Sequence, residues 1–290
     1  MGDIGATNAR FALVEPGSSE IKNIENLKCS DFEDIQSAIK FYLSNHSDLD
    51  IQSACFATAG TVHLDIFKLA NNHWVINKQE VKKTLKGITV KWINDFTAQA
   101  FATTTLSDSE TIVINKGVVE PEKLRLVIGP GTGLGVCGLI MSSSGWLPIA
   151  GEGGHSDFAP NTSLEFEILT LLTKKFGHVA VERILSGPGI MNLYEALCQI
   201  NDTDMIYHSP SEITAAAVNV GSDPIADETI QMFCKIFGSV AGSMALTVGA
   251  LGGVYITSDL VRNFLDIFVA SEFQESFESK GRLQPVLKDI

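Results

Sequence analysis

Cysteine is scarce in this chain and never occurs in a metal-binding spacing. The 290 residues include five cysteines, an odd number, and no two of them form a CxxC pair. They are Cys29, Cys55, Cys137, Cys198 and Cys234. Because disulfide frameworks and zinc sites need paired or clustered cysteines, we predict reduced thiols in a hydrophobic core. The amino terminus lacks a basic stretch followed by an apolar segment, so we expect a cytoplasmic protein.

Positive charge is also in short supply. The chain has 21 Lys and Arg against 34 Asp and Glu, a formal net charge of −13, and its basic residues form no run. Neutralising a nucleic-acid backbone requires clustered Lys and Arg. We therefore expect no nucleic-acid partner.

One long uncharged segment, residues 236–258, has to be weighed as a membrane span. It contains Gly238 and Gly242 in GxxxG spacing, but Gly, Ser and Thr dilute it and residues 249–253 interrupt it with glycines. A spanning helix needs continuous apolar sequence. The pattern favours a buried helix of small residues, a glycine turn and a core strand at residues 254–256. We expect no membrane partner.

The chain lacks a Pro-, Gly- or Ser-rich linker, although its length favours two domains. Short apolar runs alternate with helical patterns, which is typical of α/β proteins. The Ser30 to Glu33 segment has the spacing of a capping box at a helix start. Strands are predicted at residues 10–14, 55–59, 90–93, 111–115, 124–128 and 133–140, and helices at 164–176, 189–198 and 226–248. We predict a small domain over residues 1–105 and a large domain over 106–290, with a ligand cleft between them.

Residues 129–135 read GPGTGLG and follow a predicted strand. Glycines let backbone N–H groups converge on an anion without interference from Cβ atoms, and a threonine hydroxyl adds a donor. The segment lacks the GxxxxGK[ST] pattern, and strand-like rather than helical sequence follows it. It therefore predicts a phosphate-binding loop between two strands of a hairpin. The residues involved are Gly129, Gly131, Thr132, Gly133 and Gly135.

A second phosphate-type turn lies at residues 3–10. Gly5 keeps the backbone approachable, Thr7 and Asn8 offer donors, and Asp3 is suited to hold Mg²⁺ through water. A plain hairpin turn explains the same residues equally well.

Three further positions carry polar groups suited to chemistry. Asp95, beside Asn94 at the end of a predicted strand, is either a helix N-cap or a catalytic base. Glu152 and His155, in the glycine-rich GEGGHSDF segment, suit vicinal hydroxyl groups, and Asp157 is expected to orient the loop or the imidazole. A zinc site at His155 would need a second His or Cys at ligand spacing. Glu182 is read from the residues alone as half of a solvated ion pair with Arg183.

Taken together, these motifs resemble the bacterial glucokinase family of the hexokinase, actin and Hsp70 superfamily. Five motifs occur in family order between residues 2 and 251. They are DIGATNARFAL, NDFTA, GPGTGLGV, GEGGHSDFAP and GHVAVERILSGPGIMNLY. The resemblance implies two RNase H-like (actin-like ATPase) domains with a cleft between them, and ATP-dependent phosphorylation of glucose at the 6-hydroxyl, giving glucose 6-phosphate and ADP.

Roles for individual residues follow from the resemblance. Asp95 would be the general base, and Asn94, Glu152, His155 and Glu182 would hold the other sugar hydroxyls. Asp3, Gly5, Thr7 and the loop from Gly129 to Gly135 would bind the ATP phosphates, with Mg²⁺ bridging them. The family also implies a homodimer.

The chain departs from the family pattern at several points. From the resemblance we expect it to be shortened at both ends: only two residues precede Asp3, so the strand that usually leads into it is expected to be missing, and so are the usual strand and helix after Ile290. Thr61 stands where a proline is usual, and Thr257, Ser258 and Asp259 stand where Ala-Gly-Gly is usual beside adenosine. A related ROK kinase is a close alternative, but such kinases typically have a zinc-binding cysteine cluster after their conserved His, and none follows His155. The competing hypothesis is a truncated or degenerate paralogue that binds sugar without catalysis.

Overall fold

The computed structural model describes residues 1–18, 20–46, 49–60, 62–69, 72–118, 120–219, 221 and 223–290. Thr61 lies outside this set. Contacts divide the chain into two units, Met1–Ala98 and Gln99–Ile290, and each has its own hydrophobic core. The domain boundary expected after residue 105 stays a prediction.

The first unit is built on a five-stranded sheet and a separate pair of short strands. The strands are β1 (Gly2–Ile4), β2 (Asn8–Val14), β3 (Ile21–Lys28), β4 (Ser53–Thr58), the β5 (Ile66–Lys68) and β6 (Val75–Asn77) pair, and β7 (Thr89–Asn94). The order in the five-stranded sheet is β3-β2-β1-β4-β7. Strands β1, β4 and β7 run parallel, while β2 and β3 are antiparallel to their neighbours. The helices are α1 (Ile35–Ser44), α2 (Lys78–Thr84) and α3 (Asp95–Ala102), the last of which begins in this unit.

Strand β1 corrects the expectation that no strand leads into Asp3. It is short, but Gly2 and Ile4 are buried and Asp3 points outward. Gly2 packs so closely that a Cβ there would come 2.7 Å from the Phe56 ring. Three residues are too few to show a strand pattern in the sequence. Pairing with β2 on one side and β4 on the other holds them in register.

The second unit contains a four-stranded sheet covered by helices. Its strands are β8 (Arg125–Pro130), β9 (Leu134–Ser142), β10 (Gly145–Gly151) and β11 (Val254–Ile256), and they lie in the order β10-β9-β8-β11. Its helices are α4 (Ser163–Phe176), α5 (Gly187–Ile200), α6 (Pro210–Val218), α7 (Pro224–Val248), α8 (Asp259–Arg262), α9 (Leu265–Ala270), α10 (Phe273–Glu278) and α11 (Gln284–Lys288). These elements confirm the predicted core strand at residues 254–256 and the three predicted long helices.

Two local predictions are wrong. Residues 111–115 form no strand, and all five of their side chains are exposed or half-exposed, outside either sheet. Helix α1 begins at Ile35, with Asp34 as its N-cap and a capping box between Asp34 and Ser37 rather than between Ser30 and Glu33. Both positions offer capping residues, but Cys29–Asp31 form a short 3-10 turn and Phe32 has an extended backbone, so the α-helix begins only after Asp34.

Helix α7 is, within the described ranges, the one helix long and apolar enough to cross a membrane, and 61% of its most apolar window is buried in the protein. Its two glycines lie against α10. A Cβ at Gly238 would collide with the carbonyl of Phe273, and one at Gly242 with the carbonyl of Phe277. The GxxxG spacing therefore serves helix packing inside this unit, which confirms the prediction of a buried helix of small residues.

Candidate active site

In the first unit, the carboxyl ends of three parallel strands bring two predicted motifs to one edge of the sheet. Ile4 pairs with Thr58, and Thr58 pairs with Asn94. The turn after β1 and the Asn94-Asp95 pair after β7 are thus separated by two strand spacings, about 10 Å. The topology places Gly5 and Asp95 at the same edge, where α/β proteins bind ligands.

Asp95 begins helix α3 at this edge. The amide of Phe96 donates to Asn94 Oδ1 at 2.8 Å and to Asp95 Oδ1 at 2.9 Å. Both side chains are half-buried. The side-chain oxygen of Asn94 therefore helps to cap the helix. The Asp95 carboxylate lies at the helix N-terminus, where the helix dipole favours a negative charge.

The turn at residues 5–8 is a tight hairpin turn between β1 and β2. The Gly5 amide donates to the Asn8 carbonyl at 2.9 Å, and the Asn72 side chain donates to the Gly5 carbonyl at 3.1 Å. Asp3 faces Arg10 across the hairpin, with 2.9 Å between its Oδ2 and the guanidinium. The hairpin interpretation of this segment is confirmed for the backbone, and its phosphate-binding role stays a prediction.

In the second unit, the GPGTGLG segment forms the predicted hairpin. Strands β8 and β9 pair from Arg125 to Pro130, and Gly131, Thr132 and Gly133 form the turn. The Gly131 amide donates to the Gly133 carbonyl at 2.8 Å, and the amide of Gly187, at the start of α5, donates to the Gly131 carbonyl at 2.8 Å. Thr132 is exposed at the tip. We call residues 129–135 the glycine hairpin.

A short backbone ladder brings His155 and Glu182 together. The amide of Val181 donates to the Ser156 carbonyl at 2.9 Å, and the amide of Phe158 donates to the Val179 carbonyl at 3.0 Å. This ladder places Glu182 Oε1 3.7 Å from His155 Nδ1. The carboxylate and the imidazole thus form a pair that can share hydrogen bonds with one polyhydroxyl ligand.

The glycines beside His155 allow the segment to lie close to strand β9. A Cβ at Gly154 would collide with the Leu134 carbonyl, and one at Gly153 would come 3.1 Å from the Val136 side chain. The density of glycines here reflects close approach of the turn to its own sheet. Glu152 is exposed beside this turn.

Two side-chain partners differ from expectation. Asp157 contacts His178 at 2.6 Å rather than the imidazole of His155, and it forms a backbone bridge with Ala180, so of the two expected roles the orientation of the loop is the one that remains. Arg183 stacks over the Phe176 ring at 4.5 Å, whereas Glu182 faces His155. The prediction of a solvated ion pair between Glu182 and Arg183 is therefore wrong, because adjacent side chains of the turn at Val181–Arg183 point in different directions.

The segment that departs from the family pattern lines a cavity of about 690 Å³ in the second unit. Ser258 caps α8 and donates to the Pro130 carbonyl at 2.5 Å, which ties this segment to the glycine hairpin. Asp259 is fully exposed, with its Oδ1 3.6 Å from the Arg262 guanidinium. Sequence reasoning missed Arg262, although its i, i+3 spacing from Asp259 is the signal that would have found it.

No metal-binding cluster is present in the part of the chain that the structure describes, if three or more His, Cys, Asp or Glu side chains are required. A magnesium ion bound through water, as predicted at Asp3, does not need such a cluster.

A model of the glucokinase family matches residues 1–290. This chain belongs to the glucokinase family. It is 44% identical over 290 residues to the glucokinase of Hahella chejuensis, covering 100% of this chain and 90% of that protein. It is 39% identical over 292 residues to the glucokinase of Neisseria meningitidis, covering 100% and 88%.

Solved structures agree with the fold class. A glucokinase from an Antarctic psychrotroph superposes with a TM-score of 0.91 at 32% identity, covering 100% of this chain and 91% of that one. A ROK family glucokinase from Streptomyces griseus, solved with glucose and AMPPNP, has a TM-score of 0.58 at 16% identity, covering 95% and 88%. The likeness to the Streptomyces protein concerns the fold alone. The predicted actin-like ATPase fold class is confirmed.

Proposed function

We propose that this glucokinase family member transfers the γ-phosphoryl group of ATP to the 6-hydroxyl of glucose, giving glucose 6-phosphate and ADP, with Asp95 as the general base. The observation that carries the role of Asp95 is its position at the carboxyl edge of β7, in the same row of strand ends as the turn after β1. A carboxylate there can accept the proton of an attacking hydroxyl while a phosphate group lies on the neighbouring turn.

Catalysis of phosphoryl transfer depends mainly on positioning and on neutralising charge. As the sugar 6-hydroxyl attacks the phosphorus, its proton passes to an Asp95 carboxylate oxygen and the bond to the leaving ADP oxygen breaks. The hydrogen bond from the Phe96 amide to Asp95 Oδ1 holds this carboxylate at the carboxyl end of β7.

The remaining sugar hydroxyls are assigned to Asn94 in the first unit and to Glu152, His155 and Glu182 in the second. Support comes from the His155 and Glu182 pair, because a carboxylate and an imidazole side by side suit vicinal hydroxyl groups. This pairing favours a sugar ligand for Glu182 over its interpretation as a surface ion pair.

The phosphates are assigned to Asp3, Gly5, Thr7 and Asn8 in the first unit and to Gly129, Gly131, Thr132, Gly133 and Gly135 in the glycine hairpin. Asp3 suits Mg²⁺ held through water, since its side chain is 53% exposed and Arg10 contacts only one of its oxygens. When bound, the ion neutralises negative charge on the phosphates.

We assign adenosine to the cavity beside Thr257, Ser258 and Asp259. The carboxylate of Asp259 is fully exposed and lies near Arg262, so solvent and the guanidinium screen its repulsion of a nucleotide. Strand β1 removes the expected shortening before Asp3, the expected shortening after Ile290 stays a prediction, and the chain spans 90% of the length of the Hahella relative. The family match does not favour a sugar-binding protein without catalysis.

Substituting Asp95→Asn tests the proposed base. The amide keeps the size of the side chain and a hydrogen-bonding oxygen but cannot take up a proton, so kcat should fall by about a hundredfold or more. Coupled assays measure turnover, and calorimetry should show that glucose still binds. Turnover at the unmodified rate would rule out Asp95 as the base.

We also propose a cytoplasmic homodimer. The family resemblance supports the dimer, and the absence of cysteine pairing supports a reducing compartment. Light scattering of the purified protein would give the mass of a monomer, 31.3 kDa, if the dimer is wrong.

A further inference from the structure

Glu182 lies against the glycine hairpin as well as beside His155. One oxygen, Oε1, is 3.7 Å from His155 Nδ1. The other oxygen, Oε2, lies where a Cβ at Gly133 would be only 2.8 Å away. The carboxylate is thus held between an imidazole and the backbone of a loop whose assigned partner is phosphate.

Space, and not a left-handed backbone, is what requires glycine at position 133. The φ angle of Gly133 is not positive, so a left-handed φ would not strain a side chain there. Apart from atoms of Gly133 and its two chain neighbours, the only described atoms less than 4 Å from a Cβ at this position would be Oε2 and Cδ of Glu182. At Gly151, the last residue of β10, the φ angle is not positive either, and a Cβ would have no described atom within 4 Å outside its chain neighbours. A Cβ at Gly133 would therefore meet the Glu182 carboxylate, whereas a Cβ at Gly151 would meet no described side chain outside its chain neighbours.

We propose that Gly133 is a positioning residue for sugar binding. By lacking a Cβ it lets the Glu182 carboxylate rest on the glycine hairpin, at the distance from His155 that suits two vicinal hydroxyl groups. This inference rests on the proposed function, and it gives Gly133 a role in binding sugar in addition to the phosphate role assigned to its backbone.

The consequence of a methyl group at position 133 follows from contact distances. A methyl carbon 2.8 Å from a carboxylate oxygen is closer than van der Waals contact allows, so one of the two groups must move. Glu182 is a flexible side chain that is 26% exposed, and it moves more easily than the hairpin backbone. Its hydrogen bonds to a sugar then lengthen, and such bonds weaken steeply with distance and angle.

The test compares Gly133→Ala with Gly151→Ala by calorimetric titration of glucose in the absence of nucleotide. We expect Gly133→Ala to weaken glucose binding about tenfold, the loss expected when a hydrogen bond to a charged group is removed. Gly151→Ala, at a position to which no ligand is assigned, should change glucose affinity by less than about twofold, since its methyl group meets no described atom outside its chain neighbours. In steady-state assays, Gly133→Ala should raise the KM for glucose more than the KM for ATP.

A double-mutant cycle separates positioning from a general structural effect. In a Glu182→Ala background there is no carboxylate to displace, so adding Gly133→Ala should change glucose affinity no further. Combining Gly133→Ala with Glu182→Asp, a carboxylate shorter by one methylene, should recover part of the lost affinity relative to Gly133→Ala alone.

The outcomes are distinguishable. If the unmodified protein binds no glucose, the proposed function fails and this inference fails with it. If it binds glucose, unchanged affinity in Gly133→Ala overturns the inference alone. Equal losses from Gly133→Ala with and without the Glu182 side chain also overturn it, and circular dichroism of each variant establishes that it is folded.

Discussion

Tyr42 is the residue at which burial most clearly changes an acid–base equilibrium in the first unit. Its hydroxyl donates to the Asn23 carbonyl at 2.8 Å, and its ring packs on Phe11. Burial raises the pKa of Tyr42 to about 12, and the nearby charge of Glu25 acts in the same direction. The folded protein therefore holds this phenol neutral at pH values where an unfolded chain begins to lose its proton.

The sign of the pH dependence follows from this raised pKa. Stability from the neutral phenol is fully present below pH 10 and is lost as the pH rises from about 10 to 12. Tyr42→Phe cannot ionise, so the free energy of unfolding should fall less steeply over this range. Below pH 10 the variant should lose about 1 kcal/mol with its hydrogen bond.

Urea unfolding at pH 9 and pH 11 measures both effects, with Tyr207→Phe, at a half-exposed position of the second unit, as the control. An identical pH slope in Tyr42→Phe and the unmodified protein would contradict the prediction.

At the scale of elements, the contact between α7 and α10 depends on two glycines one helical turn apart. A Cβ at Gly242 would collide with the backbone carbonyl and Cα of Phe277. These backbone atoms cannot move without shifting the whole of α10. Intrinsic helix propensity therefore favours alanine at position 242, whereas packing against α10 favours glycine.

Gly242→Ala should destabilise the protein by about 1–3 kcal/mol, the usual cost of overpacking a core. Helix propensity alone predicts a gain of about 1 kcal/mol, so the sign of the change identifies the dominant effect. Urea unfolding monitored by circular dichroism measures it. The control is Ser243→Ala at the next, exposed position, where a small gain is expected. A Gly242→Ala variant more stable than the unmodified protein would show that α10 does not pack as described.

At the scale of the whole molecule, the negative net charge determines which macromolecules the protein can bind. The formal net charge of −13 favours repulsion from polyanions, and no Lys or Arg run offsets it.

We expect no detectable binding of labelled duplex DNA at about 50 mM salt, a condition that exaggerates electrostatic attraction. Fluorescence anisotropy measures the binding, and a basic DNA-binding protein serves as the positive control. An anisotropy increase that disappears with added salt would reveal a local basic surface strong enough to overcome the net charge.

Local patterns predicted the elements whose determinants lie close together in the chain. The glycine hairpin follows from alternating glycines between two apolar runs, and α7 follows from a long uninterrupted helical pattern. Fold class and family follow from several motifs in a consistent order. The α1 start was misplaced because Ser30 and Asp34 are both good caps, and the local pattern does not reveal the extended backbone at Phe32 that separates them.

Sequence alone determined which residue types could do chemistry here, because glycine turns, strand ends and capping groups are properties of a few neighbouring residues. Tertiary structure decided their partners. Glu182 faces His155 and Gly133 because a backbone ladder joins segments that are distant in the chain, and Asp157 pairs with His178 for the same reason. Such contacts depend on distances of a few ångströms across the fold, and spacing along the chain does not encode them.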